Sequence, residues 1–391
     1  MNTKKLLTEW REILDEGKKI RTAKIEKATA IMLENQKNYL MEAGNYSVTG
    51  RQLDAGYAGS GDFHQIAIPM VRRTFPELLA HDIVGVQPMT GPVGLAFALR
   101  FRAAGTYDSR SNVELGYNTI DTTYSGSMVT SAGEGLGSYD STPEQGLGIA
   151  STGTIAEVNM TVEKAQVEAK TRKLRSRWSL EVAQDLKAMH GLDLEEEMLD
   201  ILSYEITAEI DRELVNKINT VAVSSSWDYD SKSDADGRWQ SEKYRTLYNM
   251  IVRKANRIAV LTRRGAGNFV IASPNACAAL ESLSSFVVHP VDGNVNTSVA
   301  GVAKIGSLDG RLTVYRDTFA TSDYCTVGYK GPSEYDSGII YLPYVQLMVS
   351  KTVFEQSFHP TVGLMSRYAI HDQIFGSNLY YQKIGIYNLA D

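Results

Sequence analysis

Residues 193–219 read DLEEEMLDILSYEITAEIDRELVNKIN, the strongest helical signal in the chain. Asp193 can cap the helix, and Glu195, Glu196 and Glu197 fill its first turn, where the helix dipole favours negative charge. Leu202, Ile206, Ile210, Leu214 and Ile218 then recur every four residues as one nearly continuous apolar stripe. At 1.5 Å per residue, Leu194 to Asn219 makes a rod of roughly 39 Å. Such a rod can serve as the spine of a flat domain.

Working towards the N-terminus, Ser179 caps a short helix, Leu180 to Met189, closed near Gly191. Val158 to Ser179 alternates charge with Val162, Ala165, Val167, Ala169 and Leu174, which predicts strand. The one basic cluster, Lys170-Thr171-Arg172-Lys173-Leu174-Arg175-Ser176-Arg177, lies in it. Only Trp178 adds an aromatic, so the cluster reads as a solvated strand face or an interface with acidic neighbours. Residues 102–157 are rich in Gly, Ser and Thr, with dispersed Tyr107, Tyr117, Tyr124 and Tyr139. A segment of about 55 such residues is too long for an ordinary loop. It predicts an extended excursion ordered by contact with something else. Val113/Leu115 and Met128-Val129 suit a long two-stranded ribbon, which needs a neighbour to lie on.

Residues 63–100 predict a helix broken at Pro76, a short strand over 82–89 and a second strand from Gly94 to Phe101. Residues 44–62 predict a linker or extended arm. Residues 3–44 predict a helical surface arm interrupted at Gly17, with Leu6, Leu7, Trp10, Ile13 and Leu14 at helical spacing. Beyond the spine, 223–239 is polar and turn-rich and predicts a boundary. A second α+β region follows. It has a helix from Ser241 to Thr262, stopped by Gly265 and Gly267, then a strand over 268–272 and a helix opened by Ser273-Pro274. Strands are predicted over 312–315, 324–329, 338–342, around 362–370, and over 379–387.

With 391 residues, 43% of them hydrophobic, the chain can bury a sizeable core. No stretch approaches the roughly 20 apolar residues of a membrane span, and the start lacks a signal-peptide run. The expectation is a protein made and kept in a cytoplasm. The net charge of −6 argues against a dedicated nucleic-acid binder. Cys277 and Cys325 imply no disulfide framework and read as small buried hydrophobes. The six histidines show no metal-ligand spacing. Phosphate-loop, zinc-protease and nucleophile-elbow motifs are absent, and Gly133-Glu134-Gly135-Leu136-Gly137 lacks the flanking strand and helix of a dinucleotide site. No catalytic, cofactor-binding or metal residue is assigned, and no cofactor is expected.

Four collinear blocks resemble the major capsid (head) protein family of T-even-type tailed bacteriophages. They are Met70 to Arg73 with Pro76 to Met89; Val167 to Arg172 with Ser179 to Asp193 and Glu205 to Glu213; Gly265 to Ser273; and Thr326 to Pro332. The start, with Leu6-Leu7, Trp10 and Leu33-Glu34-Asn35-Gln36, is similar too. The resemblance implies an HK97-like α+β capsid fold. Its parts would be an N-terminal helical arm (1–62), the start of a peripheral domain (63–101) and an extended loop lying on a neighbouring subunit (102–157). The peripheral domain with its spine helix (158–221), an axial domain (222–350) and a C-terminal return (351–391) would follow. The loop here is much shorter than in T-even head proteins, which carry an inserted domain there.

The implied function is a non-enzymatic subunit that self-assembles into hexamers and pentamers, forming an icosahedral shell around double-stranded DNA. The alternatives are a vertex or tail-tube subunit and a soluble hydrolase whose site forms only in three dimensions. Implied partners are further copies, scaffolding protein, portal, prohead protease, and decoration or vertex proteins, with packaged DNA nearby and no membrane. A short hydrophobic-x-Glu processing site implied by the family fits Leu40-Met41-Glu42.

Overall fold

The computed structural model describes residues 3–15, 22–42, 78–104, 157–230, 239–288, 302–334, 336–349, 353–354, 359–374 and 376–389. The linker expected over 44–62, nearly all of the helix before Asp82 and most of the excursion 102–157 lie outside them. In chain order the elements are α1 (Thr3–Glu9), α2 (Arg11–Asp15), α3 (Ala23–Glu42), α4 (Ala80–Ile83), β1 (Gly85–Val86), β2 (Val93–Ala104), β3 (Glu157–Glu168) and β4 (Lys170–Arg177). Then come α5 (Leu180–His190), α6 (Leu194–Val221), β5 (Val223–Asp228), α7 (Gln240–Thr262), β6 (Phe269–Ala272), α8 (Pro274–Glu281) and β7 (Phe286–Val288). The chain ends with β8 (Val302–Leu308), β9 (Leu312–Asp317), β10 (Tyr324–Gly328), β11 (Ile339–Val349), β12 (Val353–Phe354), β13 (Pro360–Asp372) and β14 (Tyr381–Tyr387). The fold is α+β, as expected.

Two sheets dominate. In the first, β11 pairs with parallel β1 and antiparallel β13, and β13 pairs in turn with β4 and β12. The second has seven strands in the order β5-β14-β10-β6-β9-β8-β7. Helix α6 touches both. Its stripe is sealed from solvent at Leu199, Ile206, Ile210, Leu214, Val215 and Ile218 and joins one core with Tyr341, Leu364 and Tyr368 of the first sheet and Val327 and Ile384 of the second. Polar links fix its position. Arg212 donates to the fully buried Asp317 of β9 at 2.5 Å, and Thr326 of β10 bonds Asn219 at 2.6 Å.

The ends of α5 and the start of α6 follow their residues. The Ser179 hydroxyl accepts from Val182 N–H, Gly191 closes α5 at φ 69°, and the Asp193 carboxylate accepts from Glu195 N–H. Helix α7 ends at Thr262 as expected, and the left-handed residue that closes it is Arg263, at φ 53°, rather than a glycine.

Three further expectations change. The strand over 82–89 is a helical turn followed by two-residue β1, since Ile83 and Val84 bury completely beside the spine. The boundary over 223–239 opens with strand β5, parallel to β14 and held by buried Trp227. Serines at three of its six positions hide the alternation of this edge strand. The helical arm is also not a loose surface element. Leu6, Trp10, Leu14, Met32 and Leu33 are buried, and the Asn35 amide donates to the carbonyls of Met89 and Tyr344. The first helices therefore complete the core.

Two outcomes follow. Leu33→Ala removes a fully buried side chain and is expected to destabilise the unassembled subunit by about 2–5 kcal/mol in urea unfolding; a loose arm would give no change. On α6, burial pushes the Asp211 carboxyl up to about 7, offset in part by the Leu79 N–H, and its Oδ1 is sealed without a partner. A carboxyl whose folded pKa is raised stabilises fully below its unfolded value near 3.8 and loses that stability as pH climbs through about 7. The melting temperature should therefore fall between about pH 4 and 7, and Asp211→Asn should flatten that fall.

Candidate subunit-contact surfaces

The β2–β3 ribbon stands outside both large sheets. Its register is unbroken from Val93↔Glu168 to Ala104↔Glu157. Strand β3 continues into β4 through a break at Ala169, whose N–H bonds Pro92 O at 2.9 Å. Beside this root, Met89, Val167, Ile340, Leu342 and Ala369 form a separate buried cluster. Gly94 packs closely there: a Cβ would come within 2.7 Å of the Met89 sulfur and the methionine would have to shift. Further out, Val158, Met160 and Val162 share one face, with Met160 at 62% exposure. Their register partners are Ala103, Phe101 and Leu99, and exposed Val93 and Leu95 lie on the same face. Apolar side chains of the ribbon are thus open to water, on a face they share with exposed Lys164, Gln166 and Glu168. Such a ribbon is marginal alone.

A second incomplete surface is the α5–α6 elbow. Helix α5 is capped at both ends, yet it buries no residue, and Met189 is 80% exposed. Eleven residues form a marginal helix without packing. Val182, Leu192, Ile201 and Tyr204 extend the exposed apolar area.

The basic cluster at 170–177 divides by the two-residue period of its strand. Lys173, Arg175 and Arg177 are exposed, while Arg172 turns to α6 and bonds Glu209 at 2.7 Å and Glu213 at 2.6 Å. Burial works against the Arg172 charge, but its bonds to Glu213, Tyr368 and Glu209 hold the guanidinium protonated above its usual range. Burial and the bond to Glu213 raise the Tyr368 phenol. Arg172 therefore ties β4 to the spine. Treating the cluster as one face misses this; the inward positions Arg172, Leu174 and Ser176 were the available signal.

Leu40, Met41 and Glu42, expected as a processing site, are the last three residues of helix α3. A protease that grips extended substrate must first unwind that turn. Elsewhere, an open cleft of roughly 660 Å³ is lined by Glu168, Lys170, Arg172, Glu213, Lys217 and Tyr368, with no Ser or His among the described residues of its wall. Cys277 and Cys325 are buried free thiols, as expected; burial pushes Cys277 up to about 12 and raises Cys325 well above its ordinary value. Among the described residues no three His, Cys, Asp or Glu side chains are placed to hold a metal ion. No described helix is long and apolar enough to cross a membrane.

Comparison with known proteins follows the same lines. The family model "Major capsid protein Gp23" matches residues 60–386. The major capsid protein of Salmonella phage ViI is 34% identical, with 94% of this chain and 91% of that protein aligned. That of Enterobacteria phage T4 is 31% identical over 85% of this chain and 80% of its own length. The capsid vertex protein of the same phage is 28% identical over only 56% of this chain and 54% of its own. A solved structure from Mycobacterium phage Bobi superposes with a TM-score of 0.46 at 12% identity, covering 78% of this chain and 89% of that one. The chain, α+β in fold, belongs to the major capsid protein Gp23 family.

Proposed function

We propose that this major capsid protein assembles with copies of itself into hexamers and pentamers that close an icosahedral head around double-stranded DNA. One observation carries the reading: Val93, Leu95, Val158, Met160 and Val162 of the β2–β3 ribbon are exposed, and nothing among the described residues of their own chain covers them. The α5–α6 elbow is a second apolar surface left open. A surface on one copy that meets a different surface on the next is a heterologous contact, which repeats into rings. Many modest contacts engaged together then give a stable shell. The longer match to the T4 major capsid protein than to its vertex protein favours the shell role over the vertex one.

In this reading α6 and most of the first sheet form the peripheral domain, within 63–101 and 158–221 and the return 351–391, and strand β11 joins them from the end of the 222–350 segment. The seven-stranded sheet is mostly axial, within 222–350. The ribbon opens the extended loop of 102–157. The subunit folds in the host cytoplasm and ends in the virion shell. Scaffolding protein, portal, and decoration or vertex proteins are its further partners, with DNA lying near the inner wall. A prohead protease removes the N-terminal segment after Leu40-Met41-Glu42. The role needs no catalytic residue.

Two experiments test this. Electron microscopy of the purified wild-type protein should show shells, and Met160→Asp/Val162→Asp should leave folded, unassembled subunits. Tubes, or wild-type particles that stay near the 43.1 kDa monomer mass under every condition, would refute the shell role. Mass spectrometry of subunits from mature particles should read a chain that starts at Ala43. A chain that retains residues 1–42 excludes processing after Glu42.

A further inference from the structure

A second basic surface, larger than 170–177, is formed by helix α7 and the two arginines that follow it. Residues 240–264 hold seven basic side chains and a single acidic one, Glu242, in a chain whose net charge is −6. Tyr244, Leu247, Ile251, Ala255 and Ile258 face the core. The opposite side is therefore turned outward. Arg245, Asn249, Arg253 and Arg257 recur there every four residues, all exposed, with exposed Val260 beyond them. Four residues rise about 6 Å along a helix. Among the described residues, Arg245, Arg253 and Arg257 make no salt bridge. Like charges crowd the face: burial and then Arg257 push the Lys254 ammonium down.

The complement lies on α6. Residues 193–213 hold nine acidic side chains and one basic, Arg212. Leu199, Ser203, Ile206 and Ile210 face inward, so Glu196, Glu197, Ile201, Tyr204 and Glu205 face solvent. Glu197, Ile201 and Glu205 repeat at the same four-residue spacing as the arginines. Both faces are exposed, so they do not meet within one chain.

We infer that the exposed face of α7 docks on the exposed first half of α6 in a second copy of this chain, guanidiniums against carboxylates and Val260 against Ile201 and Tyr204. The inference rests on the self-assembly reading. Opposite sign, matched rise and an apolar contact within the charged frame point to a protein surface that every copy already carries. Duplex DNA would engage α7 through its phosphates, but it would leave the carboxylates of α6 without a role. Each exposed ion pair is weak, and its effect is screened by salt. Repetition around every ring gives the contact its weight.

A charge-swap series on the full-length chain tests this, read as the threshold concentration for particle formation by light scattering. Arg245→Glu/Arg253→Glu/Arg257→Glu should raise the threshold at least tenfold, as should Glu196→Lys/Glu197→Lys/Glu205→Lys. One chain carrying both sets should return to within about threefold of wild type. Added sodium chloride should raise the thresholds of the wild type and of the doubly swapped chain alike. Circular dichroism must first show native helix content in each variant, and if one set misfolds, the threshold of the other, folded set decides the test. Assembly of the α7 variant at the wild-type threshold, or absence of rescue in folded chains, overturns the contact. Loss of duplex DNA binding by that variant with normal assembly overturns it in favour of DNA. A wild-type chain that never forms particles sinks the shell reading instead, and this contact with it.

Discussion

Everything else in the structure hangs on the apolar stripe of helix α6. Leu199, Ile206, Ile210, Leu214 and Ile218 are each buried to within about a hundredth of their surface. Each buried side chain of this size is worth about 1.5–3 kcal/mol of transfer free energy. The same helix carries Arg212 to the buried Asp317 at one sheet and receives Arg172 from the strand β4 of the other. Asp317 has to be paired, because an unpaired buried carboxylate is far costlier than any surface charge. Chains that share this spine can therefore hold two sheets in one core.

The same economy explains what is left uncovered. A helix has only one face to give to its own core, and the outward face of α6 is acidic with Ile201 and Tyr204 exposed. The β2–β3 ribbon leaves the first sheet at Ala169 and, among the described residues, is anchored at its root by Met89, Val167 and Leu342. Helix α5 is capped but unpacked. Each is a local structure whose backbone is satisfied while its apolar surface is not. In a monomer such surfaces are a liability; in a shell subunit they are the means of association.

Much of this could be read from residues alone. The spine, its Asp193 cap, the Ser179 and Gly191 ends of α5 and the Ser273-Pro274 start of α8 are local signals, set by neighbours a few positions away. What escaped is non-local. Strand β5 shows no alternation because only Trp227 is buried, and its pairing partner lies about 160 residues on. The N-terminal helices looked like an arm because their charged faces are visible in sequence, whereas the seat that buries Leu33 and Asn35 is made by β11 and the Met89 turn. Arg172 was hidden in a run of like charges until the strand's period separated it from Lys173 and Arg175. The basic face of α7 is spread at four-residue spacing and so never reads as a run.

The central claim is that the exposed apolar side chains of the ribbon are covered by a sister molecule. Hydrogen–deuterium exchange over 158–166, compared between unassembled subunits and purified shells, tests it most directly. The account predicts at least a hundredfold slowing in shells, while amides of β10, already central in their sheet, stay unchanged. Equal exchange of the ribbon in both states would contradict it.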